Sequence, residues 1–274
     1  MTRGDLLAVS DLHVEHDENR RLVEAMKPNS DEDWLLIAGD VANSPERLQW
    51  TLELLASRFS KVIWVPGNHE LHCYPDDSAS LRGENRYRHL IDLCRSLGVV
   101  TPEDPYEIWE GALGPVRIVP LFLLYDYSFG FDIAPTTEEA LQRAWSAGVV
   151  CDDEYLLHPD PHRSRGEWCA ARLEATTLRL ERDTPLPSVL LNHFPLRIEP
   201  TRSLIRREFA QWCGTARTAD WHRRFRAAAV VYGHLHINRT MWHDGVPFHE
   251  VSMGYPRERR FRSEGFRLCR VLQS

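Results

Sequence analysis

Lysine is nearly absent from this 274-residue chain: Lys27 and Lys61 are the only two, and the other 31 of its 33 basic residues are arginine. We read this as the codon usage of a GC-rich genome. Asp and Glu number 40, giving a formal charge of −7, and no basic tract interrupts the acidic balance. That excludes a general nucleic-acid coat protein and makes a nucleic-acid partner unexpected. The six cysteines (Cys73, Cys94, Cys151, Cys169, Cys213 and Cys269) form no CxxC pair and no framework spacing, so a disulfide scaffold is excluded and reduced thiols are expected. Long hydrophobic runs are missing too. The longest, residues 118–125, contains a proline and falls far short of the ~20 residues a membrane span requires. No charged start leads into an apolar stretch, so the chain reads as a cytoplasmic protein without membrane association. Repeats, low-complexity tracts and linkers are also absent. Combined with 43% apolar and 27% charged residues, this excludes disorder and favours one domain over residues 1–274.

What is present alternates. Short apolar runs at 6–9, 34–38 and 62–65 predict buried strands, separated by helices over 18–26 and 45–59. The second helix opens on Ser44-Pro45, a favourable start with Pro at the first helical position. This β-α-β-α-β opening implies parallel strands. A helix over 82–97 and strands at 106–109 and 116–121 follow. Residues 125–187 are irregular, rich in acidic residues, Pro, His and Arg, with helices expected at 137–147 and 165–182; the segment reads as an insertion covering the site. Strands at 189–191 and 228–232 resume the core, and 240–242, 247–251 and 266–272 predict a closing run of antiparallel strands.

Five of these strands run into polar, metal-binding residue types. They are Asp11-Leu12-His13, Gly39-Asp40, Gly67-Asn68-His69-Glu70, Asn192-His193 and Gly233-His234-Leu235-His236. Ligands of open α/β sheets bind outside the carboxyl ends of strands, so five strand ends aim at one place. In Asp11-x-His13 and His234-x-His236 an extended chain puts both side chains on one side. The glycines are expected to allow close approach to an ion or phosphate. A mixed oxygen and nitrogen donor set suits transition metals such as Mn, Fe, Zn or Ni better than Ca or Mg. Seven candidate ligands (Asp11, His13, Asp40, Asn68, His193, His234 and His236) exceed what one ion takes, and a shared carboxylate accounts for the surplus.

In this order the motifs resemble the signature of the calcineurin-like metallophosphoesterases, over residues 5–70 and 188–258. The resemblance implies a four-layer αββα sandwich of two mixed sheets. It implies two divalent or trivalent ions, one on Asp11, His13 and His236, the other on Asn68, His193 and His234, with Asp40 bridging. His69 would then be no ligand but would face the leaving-group oxygen as acid or stabiliser. The implied reaction is metal-activated hydroxide attack on a phosphomonoester or phosphodiester of a small metabolite or nucleotide. A nuclease or protein phosphatase on the same residues, or a non-catalytic scaffold, are the competing readings; the complete ligand set disfavours the scaffold. The fourth motif, Asn192-His193-Phe194-Pro195, departs from the family's usual neighbours and leaves the local pocket shape open.

Substrate residues are harder to read. Arg197 is a candidate because guanidinium matches phosphate, and Arg202, Arg206 and Arg207 lie close behind it. Tyr125, with Tyr127, Trp145, His158, His162 and Arg163, is a candidate for a lid that stacks on a ring. His72 is a candidate because it follows His69 closely. No oligomeric state is read from the chain.

Overall fold

The computed structural model describes residues 4–74, 81–112, 114–182, 186–260 and 266–273. In chain order its strands are β1 (Leu6–Val9), β2 (Trp34–Ile37), β3 (Lys61–Trp64), β4 (Glu107–Gly111), β5 (Gly114–Pro120), β6 (Ser188–Leu191), β7 (Ala227–Tyr232), β8 (Arg239–His243), β9 (Val246–Glu250) and β10 (Cys269–Leu272). The helices are α1 (Asp17–Ala25), α2 (Pro45–Ala56), α3 (Asn68–Leu71), α4 (Gly83–Ser96), α5 (Thr137–Ser146), α6 (Asp153–Leu156), α7 (Arg165–Arg182), α8 (Trp221–Arg224) and α9 (Pro256–Arg259). Two mixed sheets result, with strand orders β10-β1-β2-β3 and β4-β5-β6-β7-β9-β8. Strands β1 to β3 pair in parallel, as do β5, β6, β7 and β9. No described helix is long and apolar enough to cross a membrane.

Strand alternation builds two apolar layers from one set of strands. Leu6, Ala8, Leu36, Ala38, Ile63 and Val65 face Trp109, Ile118, Val189, Leu191, Ala229 and Val231 of the other sheet, forming a dry core between the sheets. Leu7, Val9, Leu35, Ile37 and Trp64 belong to the second cluster, with Val23 of α1, Leu48, Leu52 and Leu55 of α2 and Leu90 and Ile91 of α4. Each such side chain, fully buried, contributes about 1.5–3 kcal/mol. Helix α2 starts where Ser44-Pro45 predicts: the Ser44 side chain accepts from Arg47 N.

Two expectations need correction. The tail is not one antiparallel run: β9 pairs in parallel with β7, and β10 crosses to the other sheet against β1. Nor does α7, inside the expected 125–187 insertion, cover the site: none of its residues lines the cleft over it. Trp168, Cys169, Leu173 and Leu180 of α7 are buried in the core. Strands β5 and β6 are parallel, and α7 lies in the crossover that joins them, as parallel pairing requires. The stretch before α7 carries α5 and α6, and it too sends Phe129, Ala144, Val149 and Leu157 into that core. Residues 183–185 lie outside the described part.

Candidate metal centre

The site lies where β1, β2, β3, β6 and β7 end. Backbone bonds across the two sheets hold these ends in register: Ser10 N donates to Val251 O (3.1 Å) and Met253 N to Ser10 O (2.8 Å). Asp11, His13, Asp40, His234 and His236 all have φ between +41° and +70°, the left-handed region that costs a residue with a side chain energy. The turns are bent there so that consecutive side chains converge.

Three overlapping groups of possible ligand atoms result, each spanning no more than 4.8 Å: Asp11, His13 and His236; Asp40, His193 and His234; and His13, Asp40 and His69. Asn68 joins the second, its Oδ1 3.1 Å from His193 Nε2. All seven candidate ligands are thus brought together, and Asp40 stands between the outer groups.

The donor chemistry fits cations. Glu258 Oε2 lies 2.7 Å from His236 Nδ1, and a carboxylate only accepts, so Nδ1 carries the hydrogen. His236 Nε2 then turns its lone pair toward Asp11 Oδ1 (3.0 Å) and His13 Nε2 (3.3 Å). Likewise Ala38 O takes the hydrogen of His193 Nδ1 (2.7 Å), and His193 Nε2 faces Asn68 Oδ1 and Asp40 Oδ2 (3.4 Å). His234 Nε2 is buried without a partner among the described residues. Acceptors facing acceptors require a proton or a metal ion between them. On the protein's own charges, burial opposes a charged ring, yet Asp40 pushes His193 up to about 9 and Asp11 pushes His236 up to about 10. Burial and the neighbouring His69 depress His13 to about 3, keeping a neutral imidazole.

Supporting groups fix the rest. Glu70 is buried and accepts from Asp40 N (3.0 Å), Val41 N (2.6 Å) and Gly67 N (2.8 Å), tying the second and third motifs together. Burial and the Asp40 charge push its carboxyl up to about 7. Asp11 Oδ2 accepts from Ser252 Oγ (2.7 Å) and His234 N (3.0 Å). The motif glycines serve close packing of one strand end on another: a Cβ on Gly67 would lie 2.0 Å from Asp40 Oδ1, and one on Gly233 2.3 Å from Asp11 Oδ2. His69 donates from Nδ1 to Asn43 Oδ1 (2.8 Å), and Tyr255 stacks on His13 at 4.4 Å.

A cleft of about 280 Å³ opens over these groups, lined by Asp40, Asn68, His69, His72, Asp153, Phe209, His234, His236 and Tyr255 among others. His72 reaches it, but its buried ring donates from Nε2 to Asp153 Oδ1 (2.7 Å), which makes it a buttress. Arg197 and Tyr125 are not brought to the cleft. Arg197 pairs with Glu199 and the Ala219 carbonyl (2.6 Å), and Tyr125 is fully buried against Tyr127 and Phe194. Nor do these residues form a stacking lid among the described residues: Trp145 is exposed on α5, His158 meets Arg82 and His162 stacks on Trp168. The unusual fourth motif is structural. Asn192 accepts from Leu123 N (3.1 Å) and donates to Phe194 O (2.8 Å), while Phe194 packs on His193 and His234.

Sequence reasoning missed Asp153, Asn43 and the pairing of Glu258 with His236. Asp153 Oδ1 also accepts from Asn68 Nδ2 (2.9 Å). Burial alone would raise its carboxyl, but the hydrogen bond and charge of His72 hold it below the ordinary value.

The whole chain can be set beside known proteins. The [acyl-carrier-protein] phosphodiesterase PptH of Mycobacterium tuberculosis (strain ATCC 25618 / H37Rv) is 50% identical over 268 residues, 97% of this chain and 83% of the relative. The crystal structure of phosphopantetheinyl hydrolase (PptH) from Mycobacterium tuberculosis superposes with a TM-score of 0.93 at 48% identity, covering 99% of this chain and 95% of that one. The model of the calcineurin-like phosphoesterases matches residues 5–238, which include all seven candidate ligands and His69. With its motifs, its two mixed sheets and this match in agreement, the chain belongs to the calcineurin-like phosphoesterase family, a family of metal-dependent hydrolases of phosphoric esters.

Proposed function

We propose that this chain hydrolyses the phosphodiester that links a phosphopantetheinyl group to an acyl-carrier protein. The observation carrying the proposal is the extent of the likeness to PptH: at 99% coverage and a TM-score of 0.93, the match takes in the cleft walls as well as the metal motifs. Substrate choice in such folds resides in those walls. A carrier-protein diester thus replaces the small free metabolite or nucleotide expected from the sequence.

Asp11, His13 and His236 would hold one transition-metal ion, and Asn68, His193 and His234 the other, with Asp40 shared. When bound, such ions neutralise phosphoryl charge and activate water as the nucleophile. The chain's own residues do the positioning. The Asp40 backbone is held by Glu70, the His236 ring by Glu258 and the His193 ring by the Ala38 carbonyl, so these groups reorganise little during reaction. His69, at 20% the most exposed of the site imidazoles, keeps its Nδ1 hydrogen on Asn43, and its Nε2 has no hydrogen-bond partner among the described residues. Burial depresses this ring below the ordinary imidazole value and Asp40 Oδ2, 3.9 Å away, opposes that, so a proton held at Nε2 is readily passed to a departing alkoxide.

The test is direct. Protein reconstituted with Mn is incubated with holo-acyl-carrier protein, and intact mass reports loss of the phosphopantetheinyl arm; bis(nitrophenyl) phosphate and free phosphorylated metabolites run in parallel. Removal of the arm is expected. Cleavage of the nitrophenyl diester with the carrier protein left intact would overturn the proposal.

A further inference from the structure

Among the seven candidate ligands Asn68 alone is an amide, with two ends of nearly equal shape and opposite chemistry. Its amide oxygen can bind a cation, whereas its NH2 cannot. Something must choose between the two orientations, and the choice is made by a residue from outside the metal motifs. Asp153, on α6, is 1% exposed and lies 85 positions away in the chain. Its Oδ1 is 2.9 Å from Asn68 Nδ2. A carboxylate has no hydrogen to donate, so only the NH2 end of the amide can face it. The oxygen is thereby turned toward His193 Nε2, into the group formed by Asp40, His193 and His234.

The carboxylate is itself held from several sides. His72 Nε2 donates to the same Oδ1 at 2.7 Å. Arg165, at the start of α7, donates to the carbonyls of Asp153 and Leu157 (3.0 Å) and to Glu154 Oε2 (3.0 Å). Glu154 Oε1 accepts from Trp212 Nε1 (2.8 Å) and Tyr127 OH (2.9 Å). A bridge between His72 and Leu157, with Cys73 N donating to Leu156 O (2.9 Å), fastens this short helix to the chain just after α3. The free oxygen, Oδ2, is buried and has no partner among the described residues. One oxygen therefore does all the work.

We propose that Asp153 is a positioning residue for the metal centre: by accepting from the Asn68 amide it selects the orientation in which Asn68 can ligate. The stretch before α7 thereby contributes to ion retention as well as to the shape of the cleft. The proposal rests on Asn68 as a ligand and is independent of the substrate.

The test uses the full chain stripped by chelator and titrated with Mn(II), with binding followed by calorimetry and by the free-Mn(II) resonance signal. Asp153→Ala removes the acceptor, and the weaker-bound ion should be lost with roughly 10–100-fold reduced affinity, the usual cost of removing a group that orients a ligand. Asp153→Asn is the decisive companion. Its amide oxygen can replace Oδ1 and keep both hydrogen bonds, while its NH2 occupies the place of an oxygen that had no partner to lose. It should hold both ions with a loss below about 10-fold. Circular dichroism establishes that each variant is folded. Wild-type affinity for both ions in folded Asp153→Ala would overturn the proposal. So would an Asp153→Asn variant as impaired as the alanine, because charge and not the acceptor would then matter. Should the alanine variant not fold, Asp153→Leu, similar in shape and without an acceptor, takes its place in the same comparison.

Discussion

Adding one methyl group at Gly67 should disable the centre without replacing a ligand. The backbone there has φ −95° and ψ −170°, which any residue adopts, so conformational strain plays no part. Space decides. The new Cβ would sit 2.0 Å from Asp40 Oδ1, 2.7 Å from Asp40 N and 2.8 Å from Asp40 Cγ. Contacts below 3.0 Å are not sustained, so the Asp40 carboxylate or the Gly67 backbone must move by about 1 Å. Neither is loose. Asp40 Oδ1 accepts from His69 N at 2.9 Å, Asp40 N donates to Glu70, and Gly67 N donates to the same Glu70 oxygen. Overpacking of this kind costs about 1–3 kcal/mol. Losing the charge-assisted bond from His69 N adds about 1.5–3 kcal/mol. Gly67→Ala is therefore expected to lose about 2.5–6 kcal/mol in stability and, with Asp40 misplaced by an ångström, roughly 10²-fold in kcat on bis(nitrophenyl) phosphate. Denaturant unfolding and steady-state kinetics with added Mn measure both. Gly166→Ala is the matched control: its Cβ would meet nothing closer than 3.8 Å, and a glycine in the first turn of α7 should gain about 0.5–1 kcal/mol on replacement. A Gly67→Ala variant within about 0.5 kcal/mol of wild type and equally active would refute the reasoning.

Three further outcomes are expected. His69→Ala should keep its metals by elemental analysis yet lose roughly 10²–10⁴ in turnover on an alkyl diester, with a smaller loss on a nitrophenyl ester; equal losses would remove His69 as the proton carrier. Trp168→Ala should cost about 3–5 kcal/mol in denaturant unfolding, because the indole is fully buried in α7 and its Nε1 donates to Glu84 Oε2 at 3.0 Å. A cost under about 1 kcal/mol would argue against α7 as a core helix. Chelation should lower Tm by about 5–10 °C relative to protein held at roughly 100 times the dissociation constant of Mn, and an unchanged Tm would argue that metal and fold are uncoupled.

The metal motifs were legible because each ligand follows directly on its strand. An apolar run and the two or three residues after it place Asp11, Asp40, His193 or His234 without knowledge of the partner strand. The residues that orient these ligands were not legible. Glu258 meets His236 across 22 positions and Asp153 meets Asn68 across 85, contacts made only by the folded chain. Tyr125 failed for a related reason: an aromatic residue in an irregular stretch has the same local pattern whether it fills the core or rims a cleft. The role of α7 could have been read. Cys169, Leu173 and Leu180 recur at helical spacing, and a parallel pairing of β5 with β6 demands a covering crossover, so topology and pattern together mark α7 as a core helix.

Five site residues sit in left-handed backbone, and this bears on when the ions arrive. An unfolded chain seldom visits that conformation at one Asp or His, and visiting it at five together is rarer by the product of those odds. The nascent polypeptide therefore carries no preassembled chelate, and scattered histidines on it would hold metal weakly. Uptake belongs to the finished fold, after both sheets have closed and fixed the five bends. Affinity alone would favour the tightest-binding metals of the first-row series, so which ions the finished cage receives depends on what the surrounding pool offers at that moment. Protein made in different growth media should then carry different metals in the same pocket, with the history of its synthesis recorded in its composition.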